Sequence, residues 1–169
     1  MKNNVQVTMN KNFWIIEIYK KKNVKDVFGE DIKRSIEELG ISEIEEVKVA
    51  NLYKLICDTK RENIKRIAEE LFIDKISENF IIYRKKKTKK NYWIVEVFLK
   101  EGVTDPVGET ARKTIIESGI LKDVYVKTGK KYYIKGDLKE IQIKDICEKI
   151  LANTLIHDYF IFKKKGEYK

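Results

Sequence analysis

The chain has 169 residues, of which 43% are hydrophobic and 37% are charged, with one proline, eight glycines and a formal net charge of +9. This composition excludes collagenous and largely disordered chains and allows either one ordinary domain or two small ones. The polar start lacks the apolar core of a secretory signal, and no apolar run approaches the roughly 18 residues that span a bilayer. We therefore expect a cytoplasmic protein without a membrane partner, and the charge raises nucleic acid as a candidate partner.

A repeat divides the sequence into two halves. Residues 12–41 align without a gap on residues 91–120. The paired residues include two tryptophans, two glutamates and two pairs of glycines, namely Trp14 with Trp93, Glu17 with Glu96, Gly29 with Gly108 and Gly40 with Gly119. Two copies of one unit are the simplest explanation. The predicted organisation is an N-terminal extension at 1–11, a first domain at 12–83, a basic linker at 84–90, a second domain at 91–162 and a basic tail at 163–169.

Each half has the pattern of strand, helix, strand, strand, helix, strand. In the second half, residues 92–99 are rich in aromatic and β-branched residues and predict the first strand. Asp105 and Pro106 suit a helix start, because aspartate caps free N–H groups and proline fixes a helical φ. Two short strands are expected near residues 124–127 and 131–135. The fold class is therefore α+β, with two ferredoxin-like βαββαβ units.

Both faces of the first predicted strand are apolar, although two helices can cover only one face of a small sheet. The second face of strand 92–99 carries Ile94 and Phe98 around a single glutamate, Glu96. Leaving such a surface wet costs about 25 cal/mol per Å² of apolar area. We therefore expect the two units to pack sheet to sheet as a pseudo-dimer, with further homo-oligomer formation left open.

The same strand argues against specific nucleic-acid binding. An RNA-binding domain of this topology carries a motif such as K/R-G-F/Y-G/A-F on its open face, and neither half contains it. The lysines cluster instead in the linker, in the tail and around residues 20–22, as solvated charge runs do.

No catalytic constellation can be assembled from the sequence. His157 is the single histidine, and Cys57 and Cys147 have no metal-ligand spacing. Phosphate loops and dinucleotide-binding turns are also missing from the sequence. We expect a binding or assembly protein, without an active site or metal of its own.

Two stretches carry a family resemblance. DPVGETARKTI at 105–115 and CEKILANTLIHDY at 147–159 resemble the signature stretches of the small S subunit of phosphoribosylformylglycinamidine synthase. The first half matches less well, because it has Val27 in place of the proline and Asp74-Lys75 in place of Asn153-Thr154.

The resemblance implies a non-catalytic subunit of a purine-biosynthesis ligase. It implies two partners, a large synthetase subunit and a glutaminase subunit, which the small subunit bridges while supporting substrate binding and ammonia transfer. ATP, Mg²⁺ and glutamine would be used by those partners, and no cofactor is expected in this chain. The alternatives are a ferredoxin-like module that regulates another enzyme and, third, an RNA-binding protein.

The resemblance also names candidate contact residues, each of which has a purely structural alternative. Asp105 and Pro106 suit a helix start, and Asn153 and Thr154 could satisfy terminal helix carbonyls. The predicted partner or substrate contacts are Asp105, Pro106, Gly108, Thr110, Arg112, Asn153 and Thr154.

Overall fold

The computed structural model describes residues 12–85 and 89–163. The predicted extension at 1–11, the centre of the linker and nearly all of the tail lie outside the described residues. The first half contains β1 (Phe13–Lys20), α1 (Val27–Glu38), β2 (Ile44–Ile56), α2 (Arg61–Ile67, extended by a π-helical turn Ala68–Phe72) and β3 (Glu78–Tyr83). The second half contains β4 (Trp93–Leu99), α3 (Pro106–Glu117), β5 (Tyr125–Gly136), α4 (Glu140–Ile146, extended by a π-helical turn Cys147–Leu151) and β6 (His157–Lys163).

The six strands form one antiparallel sheet in the order β3-β1-β2-β5-β4-β6. The α+β class and the two ferredoxin-like units are confirmed, but the expected packing of sheet on sheet is wrong. The halves join edge to edge, because β2 pairs with β5 from Ile44 opposite Gly136 to Ile56 opposite Tyr125. Hydrogen bonds between the two central strands thus replace the apolar sandwich.

The two short strands predicted in each half are one continuous strand. Gly129 and Lys130 fall between the two predicted strands, yet both lie within β5, where Gly129 pairs with Leu52 of β2 and with Phe98 of β4. A long partner strand satisfies the backbone N–H and C=O groups of β5 along its whole length, so no hairpin is needed.

The helices cover one face of the sheet, and each hydrophobic core under them contains residues of both halves. Helix α1 contributes Ile36 to a core made mainly by β4, β5 and α4, and α3 contributes Ala111 and Ile115 to a core made mainly by β1 and α2. Each helix reaches the core of the other half because the strands are offset along the sheet. β1 pairs only with residues 50–56 of β2. The start of β2, and α1 before it, therefore lie over the other half.

The second face of the sheet, here called the open face, also contains buried side chains. Ile15, Leu52 and Tyr83 are buried in a cluster with Phe13 and Phe98. The apolar pattern of the sequence predicted that side chains on both faces of the sheet are buried. On the open face, neighbouring side chains of the same face bury one another, rather than a second sheet covering them.

A buried charged cluster lies at the centre of the open face. The side chain of Lys131 is 0% exposed, and its Nζ lies 3.1 Å from Oε2 of Glu17 and 3.4 Å from Oε1 of Glu96. Lys131 also donates to the hydroxyl of Tyr83 at 3.0 Å, while Tyr83 and Tyr133 each donate to Glu17. Because a buried charge is costly unless paired, this network requires the two halves to meet in one register.

Within residues 12–85 and 89–163, no helix is long and apolar enough to span a bilayer.

The shared cores predict that neither half folds alone as a monomer. A fragment of residues 89–163 lacks Ile36 and β2, so β5 would expose a long unpaired edge. We expect this fragment to be unfolded or self-associated and to regain a folded one-to-one complex when mixed with residues 12–85. Circular dichroism with sedimentation measurements tests this, and a stable folded monomer of either fragment would contradict it.

Replacing Lys131 by Met should destabilise the protein by about 3–5 kcal/mol, because the change leaves the buried carboxylate of Glu17 and the partly buried carboxylate of Glu96 without a cation. The double variant Lys131→Met with Glu17→Gln should recover part of that loss. Urea unfolding measures both, and an unchanged midpoint for Lys131→Met would show that the cluster is not a structural requirement.

Stability should also fall at high pH. Burial and the neighbouring Glu17 carboxylate raise the pKa of Tyr83 and of Tyr133 above the ordinary value. Above about pH 10 the unfolded chain loses these protons while the folded chain keeps them, so unfolding becomes more favourable. The melting temperature should drop between about pH 9 and pH 11. Tyr83→Phe should reduce that drop, whereas Tyr125→Phe, at an exposed tyrosine, should leave it intact.

Candidate functional site

The predicted contact residues lie at two places in the second half, the start of α3 and the turn before β6. The carboxylate of Asp105 accepts hydrogen bonds from the N–H of Gly108 at 2.8 Å and from the N–H of Thr128 at 2.7 Å. The hydroxyl of Thr128 donates to it as well, at 2.8 Å. Asp105 therefore caps α3. It also accepts a hydrogen bond from the backbone of Thr128 in β5, which lies just beyond Gly129, the last residue of β5 that pairs with β4.

Gly108 is required by the close approach of α3 to the sheet. A Cβ at this position would lie 2.7 Å from Oδ2 of Asp105 and 2.8 Å from the carbonyl oxygen of Val126. The first half repeats the device, since Asp26 accepts from the N–H groups of Gly29 and Val49. The Asp-x-x-Gly pattern is thus explained by internal packing in both halves.

A cleft of about 380 Å³ opens beside the start of α3. Its lining includes Asp105, Pro106 and Val107 from the start of α3, together with Leu151 and His157. The floor comes from the paired central strands of both halves and includes Asn51, Tyr53, Thr128, Lys130 and Tyr132. The cleft is therefore a joint product of the two halves, and it brings the two predicted signature stretches together.

Two predicted residues lie farther along α3. Thr110 donates to the carbonyl of Pro106 at 2.8 Å and lines a groove between α3 and the π-helical turn of the first half. Arg112 is paired with Glu109 at 3.3 Å. The structure places neither residue in the cleft.

Asn153 and Thr154 lie in the exposed turn that leads into β6. The side-chain oxygen of Asn153 accepts from the N–H of Leu155 at 3.1 Å, and its own N–H donates to Nδ1 of His157 at 3.1 Å. The carbonyl of Thr154 accepts from the ammonium group of Lys100 at 2.6 Å. Asn153 thus orders this turn next to the cleft instead of satisfying helix carbonyls with its side chain.

The first half forms the same turn with different residues. Asp74 accepts from the N–H of Ile76 at 2.9 Å and from the hydroxyl of Ser77 at 2.8 Å, and these bonds lower its pKa. Lys21 donates to the carbonyl of Lys75, as Lys100 does to Thr154. The difference between Asp74-Lys75 and Asn153-Thr154 therefore does not alter the shape of the turn.

Each turn presents a large aliphatic side chain to solvent. Ile76 is 86% exposed and Leu155 is 83% exposed. We call residues 74–77 and 153–156 the tip turns. They precede β3 and β6, which are the two outer strands, so the tips lie at opposite edges of the sheet. Exposed apolar side chains at two related positions are typical of protein contact surfaces.

Sequence reasoning missed three features of this region. It gave His157 no role, whereas the structure places this first residue of β6 in the lining of the cleft. It did not connect Tyr53 or Lys130 to the site, because they reach it through the pairing of β2 with β5. It also missed the exposed aliphatic residues of the tip turns, Ile76 and Leu155. Here the sequence did offer a signal, since each follows an Asp or Asn by two positions.

The thiols are poorly placed for nucleophilic chemistry. Both cysteines are free, and burial raises the pKa of Cys147 to about 12. In the part of the chain that the structure describes, histidine, cysteine and carboxylate side chains form no group of three that could hold a metal ion.

Comparison with known proteins gives a consistent result for both halves. The family model of PurS, described as phosphoribosylformylglycinamidine (FGAM) synthase, matches residues 14–86 and again residues 93–164. Similar curated proteins are phosphoribosylformylglycinamidine synthase subunits PurS. The one from Archaeoglobus fulgidus is 38% identical over 72 residues, which cover 40% of this chain and 90% of that protein. The one from Methanocaldococcus jannaschii is 35% identical over 78 residues, covering 43% and 94%, and the one from Bacillus subtilis is 36% identical over 69 residues, covering 38% and 82%. Each relative is thus about as long as one half of this chain, and the chain belongs to the PurS family as a tandem of two family units.

Proposed function

We propose that this tandem PurS is the non-catalytic small subunit of an FGAM synthase acting in purine biosynthesis in the cytoplasm. In this role it bridges a glutaminase subunit and a large synthetase subunit and supports substrate binding and ammonia transfer. ATP, Mg²⁺ and glutamine are used by those partners. The observation that carries the proposal is the match of both halves to the PurS family.

The distribution of exposed apolar residues supports a bridging role. Ile76 is exposed at one edge of the sheet, and Leu155 occupies the related position at the other. A chain with two related contact surfaces at opposite edges can hold two partners at once. Covalent linkage of the two units also removes one bimolecular step from assembly, because the second unit is present at an effective concentration in the mM range.

The candidate residues divide between structural and contact roles. Asp105 and Gly108 act within the fold, as their internal bonds and close approach indicate. Asn153 and Thr154 are proposed to present the second tip turn to a partner, and Pro106 belongs to the cleft beside it.

Reconstitution tests the function. Adding the chain to the cognate synthetase and glutaminase should restore glutamine-dependent formation of FGAM. Leu155→Asp should raise the concentration of chain needed for half-maximal activity about tenfold or more, because a charge opposes burial of the tip against a partner. Ile76→Asp tests the other edge, and changing Asn153 and Thr154 together to Ala tests the order of the second tip turn.

The matched control is Ile141→Asp, on an exposed residue of α4 away from both tip turns. It should leave activity unchanged, and circular dichroism should show that all variants stay folded. Full activity without the chain would reject the proposed subunit role. Normal activity of the double variant Leu155→Asp with Ile76→Asp would reject the tip turns as contact surfaces while leaving the subunit role in place.

A further inference from the structure

A second cavity, of about 340 Å³, lies on the open face, away from the helices, the cleft and the tip turns. It forms where the start of β1 approaches the end of β4. Its walls include Phe13, Lys54, Glu96, Phe98 and Lys127. The volume is within the range of sites for small molecules, which is roughly 300–1,000 Å³.

Two lysines stand side by side in this cavity. Lys54 of β2 and Lys127 of β5 are direct partners in the antiparallel register. Burial, and next the positive charge of Lys127, lower the pKa of Lys54, and the nearby carboxylate of Glu96 opposes this shift only in part. In the described chain, no carboxylate lies within ion-pairing distance of either ammonium group. Like charges placed directly opposite each other destabilise a strand pair, so this pair of lysines is an unfavourable contact within the sheet.

The repeat supplies an internal comparison. The residues related to Lys54 and Lys127 are Tyr133 and Lys48, which are also direct partners across β2 and β5. There Lys48 is neutralised by Glu46 at 3.0 Å, and Tyr133 donates to Glu17. Two lysines without an ion-pair partner therefore occur at one end of the open face only. The related end has the same strand pairing without them, so the fold does not require them.

We propose that this cavity binds a small molecule that carries a phosphate group. The two ammonium groups supply point charges for the phosphate, as lysines do in other phosphate sites. Aromatic rings lie next to them, since Nζ of Lys54 is 4.7 Å from the centre of the Phe13 ring and Nζ of Lys127 is 5.9 Å from that of Phe98. These rings provide an apolar surface for the remainder of the ligand.

The other charges around the cavity favour an anion. Glu96 is already paired with Lys131 at 3.4 Å. Lys85 adds positive charge at the rim, and Asp158 adds one negative charge. The lining therefore carries a net positive charge.

Thermal unfolding in phosphate and in chloride at equal ionic strength tests the site near neutral pH. Phosphate should raise the melting temperature of the wild-type protein, because a ligand that binds only the folded state stabilises it. Lys54→Gln and Lys127→Gln should each abolish this rise, and both should melt higher than wild type in chloride, since the like-charge contact is gone. Lys48→Gln, at the related position, should keep the full response to phosphate.

Titration with adenosine monophosphate gives a second, independent measurement. Its dissociation constant should increase about tenfold or more in Lys54→Gln and Lys127→Gln and stay unchanged in Lys48→Gln. The same response to phosphate in all four proteins, or none in wild type, would overturn the proposal. Neither result bears on assembly with the partner subunits, so failure here is distinguishable from failure of the proposed function.

Discussion

The antiparallel pairing of β2 with β5 is the interaction on which the other features of this protein depend. It runs from Ile44 opposite Gly136 to Ile56 opposite Tyr125 and joins two three-stranded units into one sheet. Because β1 and β4 each pair with only part of the central strands, α1 and α3 lie over the opposite halves and complete their cores. The same pairing brings Lys131 to Glu17 and places Tyr53 in the cleft beside α3.

Much of the fold could be predicted because it depends on local chemistry. The repeat gave the two units, and the capping ability of Asp105 with the fixed φ of Pro106 marked the start of α3. Period-two patterns predicted that both faces of the first strand are buried. Such patterns identify which face is apolar but not which strand lies next to it. The continuous β5 and the edge-to-edge junction therefore could not be predicted from Gly129 and Lys130, which suit a turn equally well.

The candidate site was predictable only in part, for a related reason. The signature stretches do meet at one cleft, but Asp105 and Gly108 are occupied by bonds and contacts within the fold. The exposure of Leu155 and Ile76 depends on the direction that the chain takes after each π-helical turn. From sequence alone, an aliphatic residue next to a helix is normally expected to be buried in the core. Residues contributed across the central strand pair, such as Lys130, have no local signature at all.

The central lysine has a consequence for how this protein can evolve. Lys131 and Leu52 occupy related positions, diagonal to each other on β5 and β2, between the related glutamates Glu96 and Glu17. A dimer of identical subunits would carry either residue twice. Two lysines would crowd two ammonium groups around the symmetry axis, and two leucines would leave both carboxylates without a cation. Gene fusion removes that restriction, because one mutation then changes one side of the axis. The single lysine is thus an asymmetry that a dimer of identical subunits cannot encode, and it makes each half depend on the other.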